Sequence, residues 1–170
     1  KNGDIDIVKN WRPISLLNVD YKIIAKCFSY RLKKILPHII HTDQKGYVQG
    51  RYISEANRHI QDVINYVDNI NKEGIIIFLD QTKAFDRVEW DWIDQCLIKM
   101  DFGSKFRGWV KMMLHGSQSA IKTNGYLSNY FKLSRSVKQG CPIAPLLYIV
   151  QAEAMSSAIR ANGNIEGIRL

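Results

Sequence analysis

The 170 residues predict a single α+β unit, and three observations carry that prediction. Apolar residues at helical spacing alternate with short strand-like runs. An Asn-Gly pair stands between two of those runs. No repeat, low-complexity tract or long linker interrupts them.

The elements follow in chain order. Tyr21, Ile24, Ala25, Phe28, Leu32, Ile35 and Leu36 recur at three- and four-residue steps, so an amphipathic helix is expected from about Asn18 to Leu36, with Pro37 as its stop. Its other face carries Arg31, Lys33 and Lys34, which fit either a solvated helix face or contacts to phosphate. Ser54 is a suitable N-cap for a second helix through Ala56, Ile60, Ile64 and Val67 towards Asn71. Ile75 to Leu79 is short and wholly apolar, which predicts a strand covered on both faces. Glu89 to Met100 reads as a helix that must end near Gly103, and Lys105 to Leu114 as another with Phe106, Trp109, Val110 and Met113 inward. Ser119–Thr123 and Tyr126–Leu133 flank Asn124-Gly125, the residue pair a type I′ hairpin turn demands. A last helix is expected from Ala144 or Pro145 to Asn162, stopped by Gly163. Ile165 to Leu170 then resembles the start of a strand whose partner would lie past the final residue, so the chain reads as a piece cut from something longer.

Composition narrows the class. An apolar fraction of 46% excludes a disordered tail, and +8 net charge favours an anionic partner such as nucleic acid. The charge is segregated: residues 1–60 carry 11 basic and 5 acidic side chains, residues 61–100 carry 4 and 8, and residues 101–170 carry 9 and 3. Basic flanks around an acidic middle suit a groove for a phosphate backbone with a cation site inside it. Cys27, Cys96 and Cys141 are odd in number and without a CxxC pair, which speaks against a disulfide framework or zinc cluster. His38, His41, His59 and His115 lack metal-ligand spacing. No apolar run approaches the ~20 residues of a membrane span, and the charged opening KNGDID is no secretory leader. The expectation is an intracellular protein without membrane contact, nucleus and cytoplasm being left open along with oligomeric state.

Asp80 closes the apolar run 75–79, where a carboxylate fits two readings. It is either an ordinary turn acid or a ligand for Mg²⁺, which takes hard oxygen donors and leaves positions for phosphate. Phe85, five residues on, is either a core ring or part of the same site.

Five ordered blocks across nearly the whole chain resemble the reverse transcriptase of LINE-type (non-LTR) retrotransposons. They are NWRPISLLNVDYKIIAK (Asn10 to Lys26), DQKGYVQGR (Asp43 to Arg51), FLDQTKAFDRV (Phe78 to Val88), the Asn-Gly hairpin with SRSVKQGCPIAPLLY (Ser134 to Tyr148), and IEGIRL (Ile165 to Leu170). The resemblance implies the fingers-palm portion of a right-hand polymerase: an incomplete palm sheet packed on helices, lacking the third catalytic hairpin and the thumb. Residues 1–72 would be mainly fingers and connecting helices, and residues 73–170 mainly palm.

The resemblance also implies roles. Asp80 would be the first of three metal-binding aspartates, joined by the backbone carbonyl of Gln81 in holding two Mg²⁺ ions, with Mn²⁺ as a substitute. Two such ions stabilise the attacking and leaving oxygens of an in-line displacement. Arg12 would contact the incoming triphosphate, as Lys1 would more weakly. Phe85 would lie under the incoming sugar and exclude a 2′-hydroxyl, while Asp86 is assigned to capping the next helix. Gln139 and Gly140 would lie against the template-nucleotide pair, with Arg51 and Lys138 as nucleic-acid contacts. Trp90 and Trp92 would serve as packing groups. Ser136 replaces a usual glycine, and if that position needs a positive φ the loop is strained by about 1 kcal/mol or more.

The partners implied are an RNA template, a DNA primer and deoxynucleoside triphosphates, and the activity implied is RNA-directed DNA polymerisation. No adjacent Asp pair occurs in the chain, so the 170 residues alone are expected to be inactive. The rival readings are a non-catalytic, domesticated RNA-binding remnant and a group II intron maturase-like polymerase.

Overall fold

The last helix, Ala144–Ala161, joins the first helix to the middle of the chain. The computed structural model describes residues 4, 6, 7, 10, 11 and 14–168; Lys1 and Arg12, both expected at phosphates, lie outside them. In chain order the helices are α1 (Val19–Ile39), α2 (Ile53–Asn69), α3 (Trp90–Lys99), α4 (Ser104–Leu114) and α5 (Ala144–Ala161), with a 3₁₀ turn at Ala84–Arg87. Helix α5 packs on α3 and α1, and α3 also packs on α4. The core runs from Ala25, Leu32 and Leu36 through Ile93 and Leu97 to Leu146, Leu147, Ile149 and Val150. One apolar cluster therefore joins the first helix to the last.

Helix α1 runs three residues past its expected end, because Pro37 falls in the last turn. Proline's fixed φ is close to helical, and what it forgoes is the one amide hydrogen bond its position would make to Lys33 O. The buried row is Ala25, Ser29, Leu32 and Leu36, so Ile24 and Ile35 lie at the margin, partly exposed. Helix α2 starts at Ile53 with Tyr52 before it and no side-chain cap, so Ser54 is inside the helix and not its cap. Its stripe of Ala56, Ile60, Ile64 and Val67 is only half-buried.

Left-handed residues end two helices where glycine was not needed. After α2, Asn71 has φ 51°, with its own N–H on Asp68 O and that of Lys72 on Val67 O. After α3, Asp101 has φ 59°, with its N–H on Ile98 O and that of Phe102 on Leu97 O. Both are Schellman closures, and the second leaves Gly103 to begin α4.

Among the described residues, strand structure is confined to one long hairpin. Strands β2 (Lys122–Thr123) and β3 (Tyr126–Leu127) pair antiparallel around Asn124 and Gly125, whose φ values of 45° and 83° are those of the expected turn. Further out, β1 (Gln118–Ser119) pairs with β4 (Phe131–Lys132). Between the two ladders the register slips by one residue, a bulge at which Ser128 Oγ accepts the Ile121 N–H at 2.9 Å.

The expected strand at Ile75–Leu79 is corrected by the structure. The segment forms no ladder, and Ile75 is 87% and Phe78 79% exposed. An apolar run becomes a buried strand only when neighbours pair with both edges and layers cover both faces, and no described residue does either. The incomplete palm sheet is thus not formed among the described residues, which show a mixed helical fold with two small sheets. Ile165–Ile168 is likewise unpaired; Ile168 and Val67 instead close on Gly74, each 3.5 Å from where its Cβ would stand.

Cys27, Cys96 and Cys141 are free thiols. No helix among the described residues is long and apolar enough to cross a membrane.

Candidate active site

Asp80 stands at the end of the extended apolar run, its side chain exposed on the wall of an open cleft of about 460 Å³. Gln81, Thr82, Arg87 and Glu89 line the same cleft, with Trp92 from α3 and Gln151 from α5 opposite. The chain turns sharply here: Lys83 takes a left-handed φ of 52° and feeds the 3₁₀ turn Ala84–Arg87. Asp86 lies inside that turn, and α3 begins at Glu89 without a side-chain cap, so the capping role expected of Asp86 is not taken up.

Phe85 projects from this turn onto α5. Its ring stacks on Tyr148 with centroids 5.1 Å apart and planes 13° from parallel. The Tyr148 hydroxyl donates to Gln81 Oε1 at 3.0 Å. Burial and then the nearby Asp80 charge push the Tyr148 phenol upward, which keeps its proton on and its donor role intact. Tyr148 thereby ties the residue after Asp80 to the ring five residues after it.

The return loop is held by the same turn. Val137 donates its N–H to Phe85 O at 2.9 Å and Ser136 donates to Val88 O at 2.8 Å. Trp90, buried, donates its indole N–H to Ser136 O, again at 2.8 Å. Ser136 has φ 98°, so the left-handed backbone that would strain a serine is present at this position.

Gln139 and Gly140 sit in the turn before α5, Gly140 at φ 93° with Ser15 O at 3.5 Å from a notional Cβ. That distance is ordinary contact, so conformation and not space favours glycine there. This pair does not line the cleft that holds Asp80. Lys138 folds inward: its ammonium lies 4.8 Å from the centre of the Tyr21 ring, and burial lowers its pKa. Beneath it the Tyr21 hydroxyl donates to Met113 O at 3.4 Å and lies 3.7 Å from Cys141 Sγ, and burial raises the Tyr21 phenol well above its usual range.

Arg51 takes a position different from a phosphate contact. Its two terminal nitrogens donate to Pro37 O, Ile40 O, His41 O and Gln44 O, so the guanidinium closes the C-terminal end of α1. A cation is favoured at that end by the helix dipole, and here it also satisfies carbonyls left over by the helix terminus. Arg31, Lys33 and Lys34 remain exposed along α1.

The donors suited to Mg²⁺ are the Asp80 carboxylate and the main-chain carbonyl of Gln81, both hard oxygens. Among the described residues no three His, Cys, Asp or Glu side chains converge to hold a metal. Tyr148 and Gln151 were missed in reading the sequence for site residues. The only signal for Tyr148 was a lone aromatic in the aliphatic run Leu146 to Val150, and Gln151 showed none.

Residues 1–166 match the family model described as reverse transcriptase (RNA-dependent DNA polymerase). The chain is 38% identical over 160 residues to the transposon TX1 uncharacterized 149 kDa protein of Xenopus laevis, covering 94% of this chain and 12% of that protein. It is 24% identical over 170 residues to the retrovirus-related Pol polyprotein from type-1 retrotransposable element R2 of Popillia japonica, covering 98% of this chain and 23% of that one. The chain thus spans less than a quarter of these relatives. A family match over residues 1–166, with a relative 38% identical over 94% of the chain, leaves one assignment: this chain belongs to the reverse transcriptase family, among proteins of the non-LTR retrotransposon type.

Proposed function

We propose that the chain is the fingers and palm portion of an RNA-directed DNA polymerase that extends a DNA primer on an RNA template. The observation that carries this reading is the placement of Asp80 and Gln81 on the wall of one open cleft, with Gln81 accepting from the Tyr148 hydroxyl and Phe85 stacked on the Tyr148 ring. Asp80 is the first carboxylate of the metal site, and acids outside these 170 residues complete it. Divalent cations held there supply charge stabilisation to the phosphoryl transfer. Phe85 presents a flat, backed ring to the sugar of the incoming nucleotide. Arg12 and Lys1 are assigned to the triphosphate, and Gln139 and Gly140 to the nascent pair, from the sequence blocks alone.

The test is primer extension by the complete protein that carries this chain. Asp80→Ala should abolish extension and leave binding to a primer-template intact. Extension that survives the substitution would remove Asp80 from the metal site.

A second reading, a non-catalytic RNA-binding remnant, draws on the absence of a three-ligand cluster among the described residues. It predicts that the complete protein binds RNA with steep salt dependence and extends no primer even before Asp80 is changed.

A further inference from the structure

We propose that Tyr148 is a specificity-determining positioning residue for the nucleotide sugar, acting by holding the Phe85 ring in place. The inference rests on the reading of Phe85 as the group beneath the incoming sugar.

Phe85 has little support from its own segment. Ile75 to Leu79 before it is unpaired and exposed, Asp80 to Lys83 are exposed, and the turn that carries it is four residues long. A ring on such a turn excludes an extra hydroxyl only if it cannot retreat, because the discrimination concerns one oxygen atom and a small shift accommodates it. The rigidity must come from behind. One contribution is the Val137 N–H on Phe85 O at 2.9 Å, which fixes the main chain. The other is Tyr148, whose plane lies 13° from that of Phe85 at 5.1 Å.

Tyr148 is itself well anchored. It is on α5 between Leu147 and Ile149, each 1% exposed, in the most deeply packed helix of the protein. Its ring is anchored through α5, and its hydroxyl donates outward to Gln81 Oε1 at 3.0 Å. The stack transmits this rigidity to Phe85, and the hydrogen bond links the same support to the residue beside Asp80. Ring and hydroxyl then have separable effects: the flat face governs sugar choice, and the hydroxyl governs the setting of Gln81.

The experiment compares incorporation of a deoxynucleotide and its matching ribonucleotide by the complete protein carrying this chain, as the ratio of their kcat/KM values. Tyr148→Leu keeps an apolar side chain on α5 and removes the flat face, and it should raise relative ribonucleotide use by about tenfold, within the range a single hydroxyl commands in an apolar pocket. Tyr148→Phe keeps the face and should leave the ratio unchanged. An unchanged ratio in Tyr148→Leu, or an equal fall with both nucleotides including complete loss, marks a merely structural residue and overturns the inference. Phe85→Val is measured alongside. If it leaves the ratio unchanged, the reading of Phe85 fails and takes the inference with it; if it raises the ratio while Tyr148→Leu does not, the role of Tyr148 alone is refuted.

Discussion

Trp90 donates its indole N–H to the carbonyl of Ser136 at 2.8 Å, across 46 residues of sequence, and Ser136 holds a φ of 98°. The pair couples the start of α3 to the loop that leads into α5. A serine in this conformation is strained, and three hydrogen bonds keep it there: Ser136 and Val137 donate to Val88 O and Phe85 O, and Trp90 donates to Ser136 O.

Ser136→Gly is therefore expected to stabilise the chain. Relief of the left-handed backbone outweighs the extra freedom glycine has when unfolded, for a net gain of about 0.5–1 kcal/mol. Trp90→Phe should do the opposite, leaving the carbonyl of Ser136 without its donor at a cost of about 1–3 kcal/mol. Urea unfolding of both variants and of the double variant checks the signs. If the two changes add without coupling, the indole bond does not hold the strained residue.

Arg51 supplies a sharper distinction. Arg51→Lys keeps the charge and loses the fork that spans four carbonyls, so it should lower stability by about 1–2 kcal/mol. Arg51→Gln, which removes the charge as well, should leave the salt dependence of RNA binding as it was. Removing a group that neutralises one phosphate lowers the slope of log affinity against log salt by about 1, and a drop of that size would restore Arg51 to the nucleic-acid interface.

Asp94 predicts a response to acid. Its carboxylate accepts from Arg107 at 2.8 and 3.2 Å and pairs with Lys111 at 3.0 Å, joining α3 to α4. The Arg107 hydrogen bond is the main cause that lowers its pKa to about 2. Because the folded value is depressed, the contribution is present above the unfolded carboxylate value of 3.8 and is lost as pH falls from there to about 2. Solvent screening keeps it to roughly 1 kcal/mol. Asp94→Asn should lower stability at pH 7 and flatten this part of the acid-unfolding profile.

Glu153 is the buried carboxylate of α5, with Arg160 on Oε1 and no partner on Oε2. Arg160→Ala strands that charge and should cost about 3 kcal/mol, whereas Glu153→Gln, which removes the charge, should cost less. Thermal melting at neutral pH orders the two variants, and the reverse order would mean that the ion pair does not balance the buried charge.

Local features were readable in advance. The limits of α3 and α4, the Asn-Gly turn and the proline-led start of α5 depend on periodicity and on residues within a few positions of each other. The errors have equally local causes. Gly103 was read as the stop for α3 that Asp101 supplies with its left-handed φ, and Pro37 was read as the end of α1 although the helix runs on to Ile39. Asp80 was found through the blocks around it, and its cleft walls were not, since Trp92 and Gln151 come from two other helices.

Ordered motifs along the chain were enough to establish the family, the helices and the identity of the candidate acid, because short-range spacing encodes each of them. Packing alone put Tyr148 beneath Phe85, turned Arg51 onto the end of α1, and left Ile75 to Leu79 unpaired. Those outcomes join residues far apart in sequence: 67 positions separate the Tyr148 hydroxyl from Gln81. Such a contact exists only once α5 has docked against α3 and α1, and no periodicity within either segment records where that docking will bring them.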